Sequence, residues 1–194
     1  MKPEALWLPV SCLRAAKLCA MPRNFAKLFA LLEPKTPALF PTQAADTALS
    51  QEILQSDLFP GKSGEMVELC RAGLLLWNDD LHNSHPITQN IESQSAHFWH
   101  GIVHHREADF SNANYWWRRT GTHPTFDSIC DLVLHAVPDF PFLHEIRGSG
   151  AWEPESFTDF CKRAQKSGEF RSQLETVQRL EMRVLLEWCA SQVR

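Results

Sequence analysis

The chain has no CxxC pair, although it carries six cysteines in 194 residues. Cys12, Cys19, Cys70, Cys130, Cys161 and Cys189 also miss every zinc-finger spacing, so thiolate zinc sites and a dithiol redox motif drop out. Most of them sit among apolar neighbours on expected helices, where reduced and buried thiols lie, and a reducing cytoplasm fits that usage. No run approaches the roughly 18 apolar residues that a membrane span needs. Basic excess is missing as well. With 19 Lys and Arg against 23 Asp and Glu, the net charge is −4, which provides no general field for nucleic acid. HExxH and GxSxG are absent, which removes the metalloprotease helix and the nucleophile elbow. "LFPGKSGEM" has Leu58 where a phosphate loop requires its first glycine, so it reads as a plain loop leading to a helix cap. No segment alternates with period two. What remains is an ordinary globular composition, 44% hydrophobic and 22% charged, of a length suited to one domain.

Seven of the 12 prolines fall in residues 1–62. Prolines at that density prevent a continuous helix, so this portion reads as a Pro-rich arm with one short helix over about Pro22–Leu32. Its first 20 residues contain an acid and two prolines where a signal peptide would be apolar. A start at Met21 with an upstream extension fits them better than a targeting segment. Residues 63–194 read as a single all-α domain: a compact, irregular helical bundle. Ser63 caps a helix expected to run to about His82, Pro86 restarts the chain, and "PITQNIES" forms a short turn. Ser95 caps a helix through Glu107, Asp109 or Ser111 caps "NANYWWRRT", and Gly121 stops it. "PTFDSICDLVLHAV" is a helix ended by Pro138, and a loop with Gly148, Gly150 and Pro154 leads to "ESFTDFCKRAQKSG". In "RGSGAW", Arg147 on a Gly-flanked loop could act as a lid. The last helix, about Glu169–Cys189, shows Phe170, Leu174, Val177, Leu180, Val184 and Trp188 at helical spacing, with Glu175 and Arg179 paired four apart on the outside.

One stretch is anomalous. Residues 97–124, "HFWHGIVHHREADFSNANYWWRRTGTHP", hold five of nine histidines and three of seven tryptophans. On a helical wheel Phe98, Ile102 and Val103 share one arc, while His97, His100, Gly101, His104 and Glu107 occupy the other. The offsets His97-x2-His100-Gly101-x2-His104, then Ala113-x3-Trp117 and Pro124, are similar to one tetratricopeptide repeat, with the proline one residue early. The spacing describes a tight helical hairpin whose histidine face looks at the second helix rather than at water. It occurs once in the chain.

Within residues 74–126, Trp99-His100-Gly101-Ile102, His104, Arg106-Glu107, Asp109, Asn112-Ala113 and Tyr115-Trp116 form a WHGI-x-H-x-RE-x-D-x-x-NA-x-YW pattern. That pattern resembles a family of uncharacterised bacterial and fungal proteins. The resemblance implies one domain centred on the hairpin, which is expected near the centre of the fold. It carries no activity.

Imidazoles facing a second helix need partners, since an unpaired buried polar group costs on the order of 1–3 kcal/mol. A structural hydrogen-bond network, a metal site and a metal-free acid–base or anion pocket all meet that need. His97 and His104 lie about 10 Å apart along a helix, too far to share an ion, whereas His100 and His104 at i and i+4 can. Asp79, Asp80, His82, His85 and His123 are candidates to complete the set. We therefore expect a polar pocket for a small-molecule ligand or a divalent zinc, manganese, iron or nickel ion, with hydrolytic or acid–base chemistry. His100 and His104 would be ligands or bases, Glu107 and Asp109 their orienters, Arg106 or Arg119 an anion anchor, and Asn112 and Tyr115 further ligand contacts. The rival reading is a non-catalytic helical interaction module. Trp99, Trp116 and Trp117 are expected in the core. Oligomeric state is left open.

Overall fold

The computed structural model describes residues 21–141, 143–144 and 150–194. The first 20 residues, with Cys12 and Cys19, lie outside the described residues, as do Arg147 and Gly148 of the expected lid. Among the described residues the protein is all-helical: α1 (Arg23–Leu32), α2 (Thr47–Gln55), α3 (Glu65–Trp77), α4 (Leu81–Gln89), α5 (Gln94–Arg106), α6 (Phe110–Thr120), α7 (Phe126–Ala136), α8 (Pro154–Ser167) and α9 (Arg171–Gln192). No described helix is long and apolar enough to cross a membrane.

The His/Trp hairpin, α5 with α6, is central. Every residue of α5 from Ser95 to Arg106 is buried, so no side of this helix serves as a solvent face. α4, α6 and α3 pack around it, α9 packs on α3 and α7, and α8 packs on α6. Gly101 makes the hairpin tight: a Cβ there would lie 2.3 Å from Trp117 Cζ3. Ala113, on the facing helix, is fully buried. Trp99 and Trp117 are core residues as expected, while Trp116 is only half-buried. The prolines of the arm do not keep it out of the core. Phe25, Leu28, Phe29, Leu32, Leu39, Ile53, Leu58 and Phe59 join the same hydrophobic cluster as Trp77, Trp99 and Leu186. A second helix, α2, forms there as well, capped by Asp46 on Leu49 N–H at 3.0 Å.

Several boundaries differ from the sequence reading. α3 ends at Trp77 rather than His82 and starts from Gly64, not Ser63. Asp79 takes a left-handed φ of 61°, and Asp80 caps a new helix that runs through Pro86. A proline normally interrupts a helix interior. Here the cap and a buried bond from Ser84 Oγ to Ala72 O (3.0 Å) hold α4 onto α3. Ser93 rather than Ser95 caps α5, accepting from Ala96 N–H at 3.2 Å. Asp109 caps α6, and Gly121 ends it at φ 59°.

The last helix buries a different stripe from the one its hydrophobicity suggests. Leu174, Val177, Gln178, Glu181, Met182, Leu185, Leu186 and Cys189 face inward, whereas Leu180, Val184 and Trp188 are partly covered and Phe170 is exposed. Gln178 and Glu181 are tolerated inside because each is bonded: Gln178 to His105 at 3.0 Å, Glu181 to Trp152 Nε1 at 2.9 Å. Glu175 pairs with Arg171 and Arg179 with Glu33, not with each other. Cys70, Cys130, Cys161 and Cys189 are buried free thiols.

Candidate metal centre

The turn between α5 and α6 is only Glu107, Ala108 and Asp109. Ala108 adopts φ 62°, and Asp109 N–H bonds back to His104 O at 2.9 Å. A left-handed residue closing a helix end reverses the chain within one turn. The reversal brings the first turn of α6 over the last turn of α5, and it sets Asn112 against His104.

His85 reaches the same place from α4. Its Nε2 lies 3.0 Å from His100 Nε2, which in turn lies 3.0 Å from His104 Nε2. Among the described residues these three are the group whose donor atoms, all within 4.8 Å of one another, could hold a metal ion. His100 and His104 are buried, and their rings stack at 4.6 Å as i and i+4 neighbours. His85 is partly exposed and marks the side open to solvent.

Glu107 fixes the orientation of two of the three rings. One carboxylate oxygen lies 3.1 Å from His104 Nδ1, the other 3.3 Å from His85 Nδ1. The hydrogen bond to His104 contributes most to holding its pKa below the ordinary value, against burial, and the His85 and His104 charges act in the same direction. An ionised carboxylate only accepts, so both Nδ1 atoms carry protons, and either ring when neutral offers its Nε2 lone pair to the cluster. A single proton on His100 Nε2 satisfies one of these contacts and not both. His100 Nδ1 is buried without a partner. Nor does the ring gain a second proton at neutral pH. Burial, and then the charges of His104 and His85, lower its pKa to about 3. His100 therefore keeps a lone pair within the cluster at neutral pH.

Trp116 stacks on His100 with centroids 4.0 Å apart and also contacts His97 at 5.3 Å. The expected inward-looking histidine face is present, and Trp116 and Asn112 are what it meets. Asn112 Nδ2 lies 3.1 Å from His104 Nε2.

The other expected site residues are placed elsewhere. Asp80 spends both carboxylate oxygens on Asn83, as an N-cap (3.1 Å) and to its side chain (2.8 Å). His82 is exposed. Neither belongs to the cluster. His123 is buried between Ser95 Oγ (3.1 Å) and Thr125 Oγ1 (2.8 Å). Asp109 caps α6 and takes Ser111 Oγ at 3.1 Å, so it orients no histidine. Arg106 is not an anion anchor: it is wholly buried, paired with Asp79 and bonded to Leu76 O and Ala38 O. Arg119 is exposed, paired with Glu92 and set over the Trp116 ring at 5.4 Å. Tyr115 is exposed beside it, with its hydroxyl 3.3 Å from Arg119 Nη1. His97 contacts Glu92 at 3.4 Å and stands apart from the three-histidine group.

No protein-family model, curated protein or solved structure matches the chain. The site is therefore read from its own geometry.

Proposed function

We propose that the protein binds one divalent metal ion through Nε2 of His85, His100 and His104, with Glu107 as the outer carboxylate. The observation that carries this reading is the shared use of Glu107. One carboxylate sets the tautomer of two imidazoles from different helices, so that both lone pairs converge on a third buried ring. Metal-ligating histidines are held in this way by an acceptor on the second ring nitrogen. A purely structural network leaves one lone-pair contact at 3.0 Å without a proton, and a cation relieves it.

Three neutral nitrogens leave the double charge of such an ion uncompensated. It would lower the pKa of a bound water and polarise an oxygen of a small ligand, which supports hydrolytic or acid–base chemistry. The ligand would enter where His85 and Glu107 meet solvent. The interaction-module reading rests on the hairpin spacing, and the α5 side of that hairpin is buried within the bundle.

Elemental analysis of untagged protein tests the proposal. We expect about one zinc, manganese, iron or nickel per chain. Absence of metal, together with a melting temperature unmoved by added zinc or by EDTA, would overturn it.

A further inference from the structure

We infer that the cavity between α7 and α9 binds a hydrophobic organic cation, an apolar body ending in an ammonium group. The cavity measures about 620 Å³, within the range of small-molecule pockets, roughly 300–1,000 Å³. None of His85, His100 and His104 lines it, so this site is independent of the metal reading. Its walls use the stripe of α9 that the bundle leaves partly uncovered. Val184 and Trp188 line it together with Leu132 of α7 and Met21, and all four are only half-buried. Apolar surface left to water at a concave place is what a ligand's own apolar body covers.

Charge decides the class of ligand. Asp131 and Glu187 line the cavity, and among the described residues no Lys, Arg or His does. Each acid precedes an apolar wall residue, Asp131 before Leu132 on α7 and Glu187 before Trp188 on α9. Glu187 is already matched by Arg183 Nε at 2.8 Å. Asp131 is exposed, and its carboxylate makes no ion pair among the described residues. An anion entering here meets like charge and no basic side chain. An ammonium group meets Asp131 in a charge-assisted hydrogen bond, beside an indole whose π system attracts cations. Trp188 is held by an edge contact with the buried His123, centroids 4.8 Å and planes 70° apart, which limits its rotation.

Calorimetric titration of the full chain with phenylbutylamine, phenylbutanol and phenylbutyrate tests this, because the three share an apolar body and differ in charge. The amine is expected to bind and to change the tryptophan fluorescence. The alcohol should bind about tenfold more weakly, having lost one charge-assisted contact, and the carboxylate more weakly still. Asp131→Asn, a change at an exposed position, should bring the amine down to the affinity of the alcohol. Trp188→Phe should abolish the fluorescence change. Equal affinities for the three probes, or wild-type affinity for the amine in Asp131→Asn, overturns the cation assignment. A fluorescence change that persists in Trp188→Phe places the probe elsewhere and overturns the site. No binding by the full chain overturns it too, and is the result expected if residues 1–20 or a second copy of the chain fills the cavity.

Discussion

Glu107, just past the end of α5, and His85, in the middle of α4, meet at 3.3 Å although 22 residues separate them in sequence. The same carboxylate holds His104 with its other oxygen. Removing it frees two rings of the cluster to rotate and lets their tautomers change. Glu107→Ala should therefore weaken metal binding by roughly 10–100-fold, the range typical of outer partners of metal-bound histidine. Competition against a chelator of known affinity measures this. An unchanged affinity would show that Glu107 orients neither ring.

The ligand assignment itself makes a sharper prediction. His100→Ala and His104→Ala should abolish stoichiometric binding, and His85→Ala should reduce it strongly. His82→Ala, only three residues away from His85 but facing solvent, should leave it intact, as should His135→Ala and His144→Ala. Protons compete with metal for the same lone pairs, so binding should weaken as the pH falls. Retained binding in His100→Ala, or loss in His82→Ala, would contradict the geometry.

Much of this arrangement was legible in the residues. The i, i+4 pair His100/His104 and the acid at Glu107 follow from helical spacing alone, and the inward-facing histidine arc follows from Gly101, Ala113 and Trp117 at hairpin offsets. The third member of the cluster could not be chosen by spacing, because the choice among Asp80, His82 and His85 turns on where α3 stops. Once a left-handed Asp79 ends it and α4 continues through Pro86, His85 faces α5 while Asp80 becomes a cap. Arg106 illustrates the opposite limit. Nothing local distinguishes an anion anchor from a buried cation. Its partner Asp79 and the Ala38 carbonyl lie 27 and 68 residues away. The buried stripe of α9 escapes its hydrophobic pattern for a related reason: Gln178 and Glu181 look solvent-facing until His105 and Trp152 supply their partners.

Gly101 gives a packing test. Its missing Cβ is what lets the Trp117 ring approach, with three ring atoms within 2.6 Å of the position a methyl would take. Gly101→Ala must push α6 away from α5 or displace an indole that is itself bonded to Thr158 Oγ1 at 2.9 Å. Overpacking of this kind costs about 1–3 kcal/mol. The backbone conformation is helical and gains nothing from glycine. Denaturant unfolding should show the loss, and a stability equal to or above that of the wild type would mean the hairpin is looser than described.

The pH profile of stability, measured without metal, is the last prediction, and its two limbs have different owners. His105 and His123, lowered by burial to about 4, and His100, lowered to about 3, stay neutral in the folded chain. Between those values and the ordinary 6.5 the unfolded chain binds protons that the folded chain refuses, so stability rises with pH up to about 6.5. Glu181 acts in the opposite sense. Burial raises it to about 8 from 4.5, against the Trp152 hydrogen bond. Through that interval the folded chain keeps a proton the unfolded chain has lost, and stability falls as pH rises, by at most about 1.4 kcal/mol per unit for one proton. Below 6.5 the three histidines outweigh Glu181 and Asp79, which burial also raises, and above it the raised Glu181 governs the slope. Denaturant midpoints should therefore peak near pH 6.5 and decline towards pH 8. Glu181→Gln carries no titrating proton and should flatten the decline while leaving the acid limb in place. A decline of equal slope in that variant would show that Glu181 is ionised in the folded core.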